Sequence, residues 1–184
     1  MDSVLFRRSL SRVPDTGFSV EPVVLAFVGN MFIEQAFIST YFAWVHPWMP
    51  FLSRKSFMEK ILNPLGSAQP GNTLLIAAMK LVAITPHDSS LRSGIYSSIK
   101  ANLLRAAASS LFEFRIFQAM LLLALYELGH AIYPAAYMTV GSCIHYGNAL
   151  GIDMMVELKV QEAFNDVECE EKRRSWWALM LLER

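Results

Sequence analysis

The chain has 184 residues, with sixteen basic and sixteen acidic side chains and 54% hydrophobic against 17% charged residues. This composition is too apolar for a disordered chain, and the length fits one domain or a piece of a larger one. The balanced charge argues against nonspecific phosphate binding, and two cysteines, Cys143 and Cys169, exclude a four-cysteine zinc site or a disulfide framework within these residues. The longest nearly apolar run, residues 116–126, is too short to span a bilayer, and no secretory leader follows the N-terminal arginines. These features predict an intracellular protein that does not bind nucleic acid on its own.

Apolar residues recur at three- and four-residue spacing through most of the chain, which predicts an all-α fold, a multi-helix bundle of about six to seven helices. Residues 1–22 contain three turn-forming residues among scattered arginines and serines and are predicted to be a flexible N-terminal segment. The folded domain is expected to cover residues 23–184. Helices are predicted, in chain order, at residues 30–45, 54–62, 73–84, 91–108, 111–128, 134–150 and from about 165 to the end.

Capping and turn residues set the expected ends of these helices. Ser53, Ser109–Ser110 and Asn165 with Glu168 are predicted N-terminal caps, and residues 70–72 a turn and cap for the third helix. Pro47 is expected to stop the first helix near His46, whereas Gly129 and Gly151 close the fifth and sixth. Only three charged residues, Glu113, Arg115 and Glu127, occur between residues 111 and 152. The hairpin formed by the fifth and sixth helices is therefore predicted to be buried, with the fifth helix central.

The motifs of catalysis do not appear in the sequence. There is no nucleophile elbow, phosphate-binding glycine loop or paired-histidine metal motif, and Cys143 and His145 would point to different sides of a helix. The other histidines, His46, His87 and His130, fall at helix ends or loops, where capping explains them more simply than metal binding. We therefore expect no enzyme and no catalytic, cofactor or metal residues.

Abundant methionine and phenylalanine leave an apolar pocket as an open alternative. Surplus apolar surface around Phe112, Phe114, Phe117 and Tyr126 could line such a pocket. Ordinary core packing is the simpler interpretation of the same residues.

The last predicted helix carries an apolar run, residues 176–182, followed by no C-cap and no covering element. This indicates a sequence that is cut short at its C-terminus. The alternative is a bundle whose last helix docks on the earlier ones and frays at its end.

In three segments the order of the residues, and not only their composition, is informative about the family. They are residues 41–57 (YFAWVHPWMPFLSRKSF), residues 137–152 (YMTVGSCIHYGNALGI) and residues 170–184 (EEKRRSWWALMLLER). In this order they resemble the fungal-specific transcription factor domain, the regulatory middle homology region of fungal binuclear zinc-cluster transcription factors. The residues that match its motifs are His46, Pro47, Pro50, Ser56, Phe57, Gly151, Arg173, Arg174, Trp176, Trp177, Glu183 and Arg184. Glu183 replaces the usual Asp, and Asp153 stands where a basic residue is commoner.

The resemblance implies a partial domain that regulates transcription by RNA polymerase II in the nucleus. DNA would be bound only through a missing N-terminal module with a six-cysteine zinc cluster, so zinc is expected there and no cofactor in this chain. A small-molecule effector or a regulatory protein is the expected partner, with homodimerisation a further expectation and no membrane association. The alternative is a stand-alone helical interaction module that dimerises through its exposed last helix.

Two physical expectations accompany the motifs. On the last helix, Arg173 is positioned to stack on Trp177, and Glu170 to pair with Arg174, each four residues apart. In the loop after the first predicted helix, the two prolines are expected to fix an extended path that packs Trp48 and Phe51 against the bundle.

Overall fold

The computed structural model describes residues 17–29, 36–61, 69–83, 89–109, 112–153 and 167–184. Within these ranges there are eight α-helices and no strand, which confirms the all-α prediction with slightly more helices than expected. The helices are α1 (Pro22–Val28), α2 (Ala36–Trp44), α3 (Arg54–Ser56), α4 (Pro70–Ala83), α5 (Ser89–Ala108), α6 (Phe114–Gly129), α7 (Tyr133–Leu150) and α8 (Val167–Glu183). A π-helical turn, Phe57–Ile61, continues α3.

Helix α1 was not predicted. Its proline occupies the first helical position, where a missing N–H costs nothing, and Val24 and Val28 point into the core. Packing begins before the helix, because Val20 is buried and the Glu21 N–H donates a 3.0 Å hydrogen bond to Asn102 Oδ1 on α5. Residues 1–16, most of the segment predicted to be flexible, lie outside the described residues.

The elements of the first motif follow the sequence prediction closely. Helix α2 ends at Trp44 and a turn follows, as Pro47 predicted; residues 30–35 of the expected helix lie outside the described residues. Ser53 is the N-cap of α3, and its hydroxyl oxygen accepts the N–H of Ser56 at 3.2 Å. This predicted cap is confirmed.

Two other predicted starts are wrong. Residues 70–72 are not a turn, since Pro70 opens α4 and Gly71 and Asn72 are buried within it. Ser109 does not cap the following helix, because its hydroxyl donates to the Ala106 carbonyl at the end of α5. Helix α6 starts three residues later than predicted, at Phe114.

At the start of α4, a backbone N–H is hydrogen-bonded by a carboxylate that lies far away in the sequence. Glu113, the extended residue before α6, accepts a hydrogen bond from the backbone N–H of Gly71. Burial raises the pKa of Glu113, and this bond opposes the rise. The N-terminus of α4 therefore has its acceptor on a residue more than forty positions away in the sequence.

Helix α6 is central, as predicted. It packs against α4, α5, α7 and α8, and residues 116–124 are all buried. Helix α7 ends at Leu150, and Gly151 follows with a left-handed φ of 69°, so the predicted glycine stop is confirmed. Asn165, the predicted cap of the last helix, lies outside the described residues. In the described ranges, no helix combines the length and hydrophobicity that crossing a membrane requires.

Candidate functional site

The first and third motif segments meet in the structure. The loop between α2 and α3 (residues 45–53, hereafter the motif loop) lies against the first turns of α8. The Ser53 N–H donates to Glu171 Oε1 at 2.7 Å, and Arg174 Nη1 donates to the Pro50 carbonyl at 3.5 Å. Side chains of α8 thus hold the main chain of the motif loop.

A buried ion pair anchors this contact to the central helix. Glu171 is 3% exposed, and its Oε2 lies 2.9 Å from Arg115 Nη1 on α6. Arg115 also donates to Gln118 Oε1 at 2.7 Å and to Ser56 Oγ at 3.4 Å. Both carboxylate oxygens of Glu171 therefore have a partner, which is the condition for burying a charge.

Gln118 completes the network from the fully buried side of α6. Its Nε2 donates to the Phe51 carbonyl at 3.3 Å and to Ser175 Oγ at 3.4 Å. Both Gln118 and Ser175 have no exposed surface. Helix α6 is consequently bonded to the motif loop and to α8 through a single amide group.

The second motif segment reaches the same region through packing. A Cβ atom built on Gly147 of α7 would lie 2.9 Å from Trp176 Cζ3 and 3.1 Å from Phe117 Cε2. Only a glycine permits α7 to approach α6 and α8 this closely. The three segments singled out in the sequence therefore surround one centre, although they are far apart in the chain.

The structure places the predicted motif residues in several environments. His46 Nε2 donates to the Leu52 carbonyl at 2.9 Å and so closes the motif loop, whereas Ser56 and Phe57 are buried beneath it. Pro47 and Pro50 are exposed. Trp176 is half-buried, and Trp177, Glu183 and Arg184 are exposed.

The expectation for the motif loop is right for Phe51 and wrong for Trp48. Phe51 is 1% exposed. Trp48 is 58% exposed, and its indole N–H donates to the Trp44 carbonyl at 2.8 Å on the outside of the loop. Trp48 is therefore part of the surface and not of the core.

On α8, the predicted pair of Glu170 and Arg174 is confirmed at 2.6 Å. The guanidinium group of Arg173 is also held by Glu170, at 2.7 Å, instead of stacking on Trp177. Partial burial acts to raise the pKa of Glu170, but its hydrogen bonds to Arg174 and Arg173 outweigh this and hold the pKa below the usual range.

A cleft of about 460 Å³ lies between the motif loop and α8. Its lining consists of His46, Pro50, Phe51, Leu52, Ser53, Arg54, Val167, Glu170, Glu171 and Arg174. This is a different place from the apolar pocket considered above, whose aromatic rings pack on one another and on their neighbours. Phe112 stacks on Tyr146, Phe114 lies against Phe117, and Tyr126 stacks on His130. Core packing is thus the interpretation that these aromatic contacts favour.

Sequence reasoning missed a second polar cluster. Lys100 Nζ of α5 lies 2.7 Å from Oε1 of Glu127 on α6, and the Glu127 side chain has no exposed surface. The Tyr96 hydroxyl donates to the same oxygen at 2.7 Å, and its pKa is raised by burial and by this hydrogen bond. The available signal was a lone carboxylate in an otherwise apolar stretch of helix, which demands a partner when buried.

The cysteine and histidine predicted to diverge do so. Cys143 is fully buried and His145 is exposed. Burial, with the nearby negative charge of Glu127, raises the pKa of the Cys143 thiol. Within the described ranges, no group of three or more His, Cys, Asp or Glu side chains could hold a metal ion.

Comparison with known proteins identifies the class. Residues 38–184 match the family model of the fungal specific transcription factor domain, and the chain belongs to this family. Transcription factor BOA15 of Botryotinia fuckeliana (strain B05.10) is 39% identical over 113 residues, which cover 61% of this chain and 63% of that protein. The matched portion is thus less than two thirds of the relative's length. No solved structure gives a significant match.

Proposed function

We propose that the chain is the regulatory domain of a fungal zinc-cluster transcription factor and takes part in regulating transcription by RNA polymerase II in the nucleus. Family membership and the transcription factor relative support a regulator and not an enzyme. Zinc and DNA binding would reside in a module outside these 184 residues, because two cysteines cannot hold a six-cysteine cluster.

One observation carries the regulatory part of the proposal: side chains of α6 and α8 hold the motif loop by its main chain. Glu171 binds the Ser53 N–H and Gln118 binds the Phe51 carbonyl. A small molecule or a regulatory protein with different affinities for two positions of α8 would shift the loop together with the helix. Through this network, binding of an effector would change the surface that the motif loop and α8 form.

The test joins the full chain to an unrelated DNA-binding domain and activation domain in a fungal reporter strain. We expect the inserted chain to change reporter transcription relative to the fusion without it. Gln118→Met, which removes all three hydrogen bonds of the buried amide, should alter this effect, whereas Ser142→Ala on α7 should leave it unchanged. Equal reporter output with and without the chain, at equal protein levels, would contradict the proposal.

A specific surface favours a second candidate, an interaction module that forms homodimers. Trp177 and Leu181 lie four residues apart on α8 and are 57% and 64% exposed. Sedimentation at increasing concentration should show dimers that Trp177→Ser abolishes and that Leu104→Ser, at a 52% exposed position of α5, preserves. A monomer at all concentrations rules this candidate out.

A further inference from the structure

We propose that the cleft between the motif loop and α8 binds a small organic acid through its carboxylate, with Arg54 and Arg174 as the recognising side chains. Arg54 stands on the motif-loop side and Arg174 on the α8 side. The volume of about 460 Å³ lies within the range of small-molecule sites. This inference rests on the proposed function, for which it supplies the class of effector.

The negative charges in the lining are neutralised from within and from beside the cleft. The lining holds two arginines, Arg54 and Arg174, and two glutamates, Glu170 and Glu171. Arg115 and Arg173, which do not line the cleft, pair with these glutamates. Both glutamates are already engaged, Glu171 by Arg115 and Ser53, and Glu170 by its two arginine neighbours.

The two lining arginines keep donors for a ligand. Arg54 lies over the ring of Phe42, with its central carbon 5.7 Å from the ring centroid, a contact that uses the face of the guanidinium group and leaves its N–H edge available. Arg174 binds Glu170 through Nε and reaches the Pro50 carbonyl only at 3.5 Å through Nη1. Guanidinium groups with free edges bind carboxylates with two parallel hydrogen bonds.

Apolar groups in the same cleft suit the carbon body of such an acid. Pro50 is exposed on one side, and Val167 is 48% exposed on the other. An acid that contacts both sides would add a bridge parallel to the bond between Ser53 and Glu171. It would therefore stabilise the docked position of the motif loop by mass action.

The test is a calorimetric titration of the full chain, at constant ionic strength, with acetate, succinate, benzoate and octanoate and with the neutral amide of each. At least one acid should bind saturably, and its amide about tenfold or more weaker. Arg174→Gln and Arg54→Gln should each weaken the binding of that acid about tenfold. Arg173→Gln is the matched control, because Arg173 shares the partner Glu170 but does not line the cleft, and should change the affinity less than about threefold.

Absence of saturable binding by all four acids would overturn the inference, as would equal weakening by Arg173→Gln and Arg174→Gln. Circular dichroism of each variant checks that the helices are intact. If Arg174→Gln fails to fold, Arg54→Gln decides alone, since it acts from the opposite side. A chain that changes reporter transcription but binds no acid would refute this inference and leave the proposed function standing.

Discussion

Glu171 is one of three acidic residues at the start of α8, and its environment in the fold differs from that of the others. Glu168 and Glu170 are partly exposed and pair with basic neighbours on their own helix, whereas Glu171 is buried against Arg115 of α6. All are compatible with an acidic first turn, so the sequence does not distinguish them. Their energetic roles follow from burial, which only packing reveals.

We expect Glu171→Gln to lower the free energy of unfolding by about 3 kcal/mol, because it leaves the Arg115 guanidinium without its buried counter-charge. Glu168→Gln, which breaks an exposed pair with Lys172, should cost less than about 1 kcal/mol. Urea unfolding of the two variants measures the difference. Equal losses would mean that the buried pair does not contribute more than the surface pair.

The two cysteines should differ in reactivity. Cys143 is fully buried and its thiol pKa is raised, whereas Cys169 is partly exposed. Alkylation of the native protein should therefore modify Cys169 about a hundredfold faster or more, since Cys143 reacts only after local opening. Mass spectrometry of timed samples measures both rates, and the two should converge in denaturant. Comparable native rates would contradict the burial of Cys143.

At the scale of elements, glycines on the same helix have unequal roles. Gly147 lies where α7 approaches Trp176 and Phe117, whereas nothing lies within 4 Å of a Cβ built on Gly141. Both lie within the same helix, so helical periodicity alone does not predict their different surroundings. Their difference is a property of the helix interface.

We predict that Gly147→Ala destabilises the protein by about 1–3 kcal/mol, because the added methyl group must displace two aromatic rings. Gly141→Ala should stabilise it by up to about 1 kcal/mol through helix propensity alone. Thermal unfolding of both variants gives the two signs. A stabilising Gly147→Ala would show that α7 does not pack closely on α8.

Helix starts show where local signals suffice and where they do not. Ser53 caps α3 through its own hydroxyl, so its role could be derived from sequence. The start of α4 depends on a hydrogen bond to Glu113, a contact distant in the chain, and α6 begins after an extended residue that provides no side-chain cap. For this reason the sequence prediction was three residues off at the N-termini of α4 and α6. At their C-termini it was off by only one residue.

At the scale of the whole molecule, the Lys100–Glu127 pair joins α5 to the centre of the bundle, and a weak bond from Lys100 to Thr139 extends it to α7. The pair at Lys172 and Glu168 has the same 2.7 Å distance and the same 24% exposure of the lysine, but its glutamate is 48% exposed. The two pairs therefore differ most in the burial of the carboxylate.

We expect Lys100→Met to cost about 3–5 kcal/mol, because Glu127 is left buried without its counter-charge, and Lys172→Met to cost less than about 1 kcal/mol. Adding Glu127→Gln to Lys100→Met should recover part of the loss, since the buried charge is then removed. A double-mutant cycle by urea unfolding measures this coupling. Strictly additive losses would show that the two side chains are energetically independent.

The sequence by itself determined the helical class, the central position of α6 and the ends that depend on Pro47 and Gly151, because periodicity and backbone stereochemistry act locally. It also led to the three motif segments and hence to the family that the comparisons show. Only the tertiary structure decided that the first and third of these segments meet at Glu171 and border one cleft. Those relations join residues more than a hundred positions apart, and side-chain hydrogen bonds and close packing set them with no regular spacing in the chain.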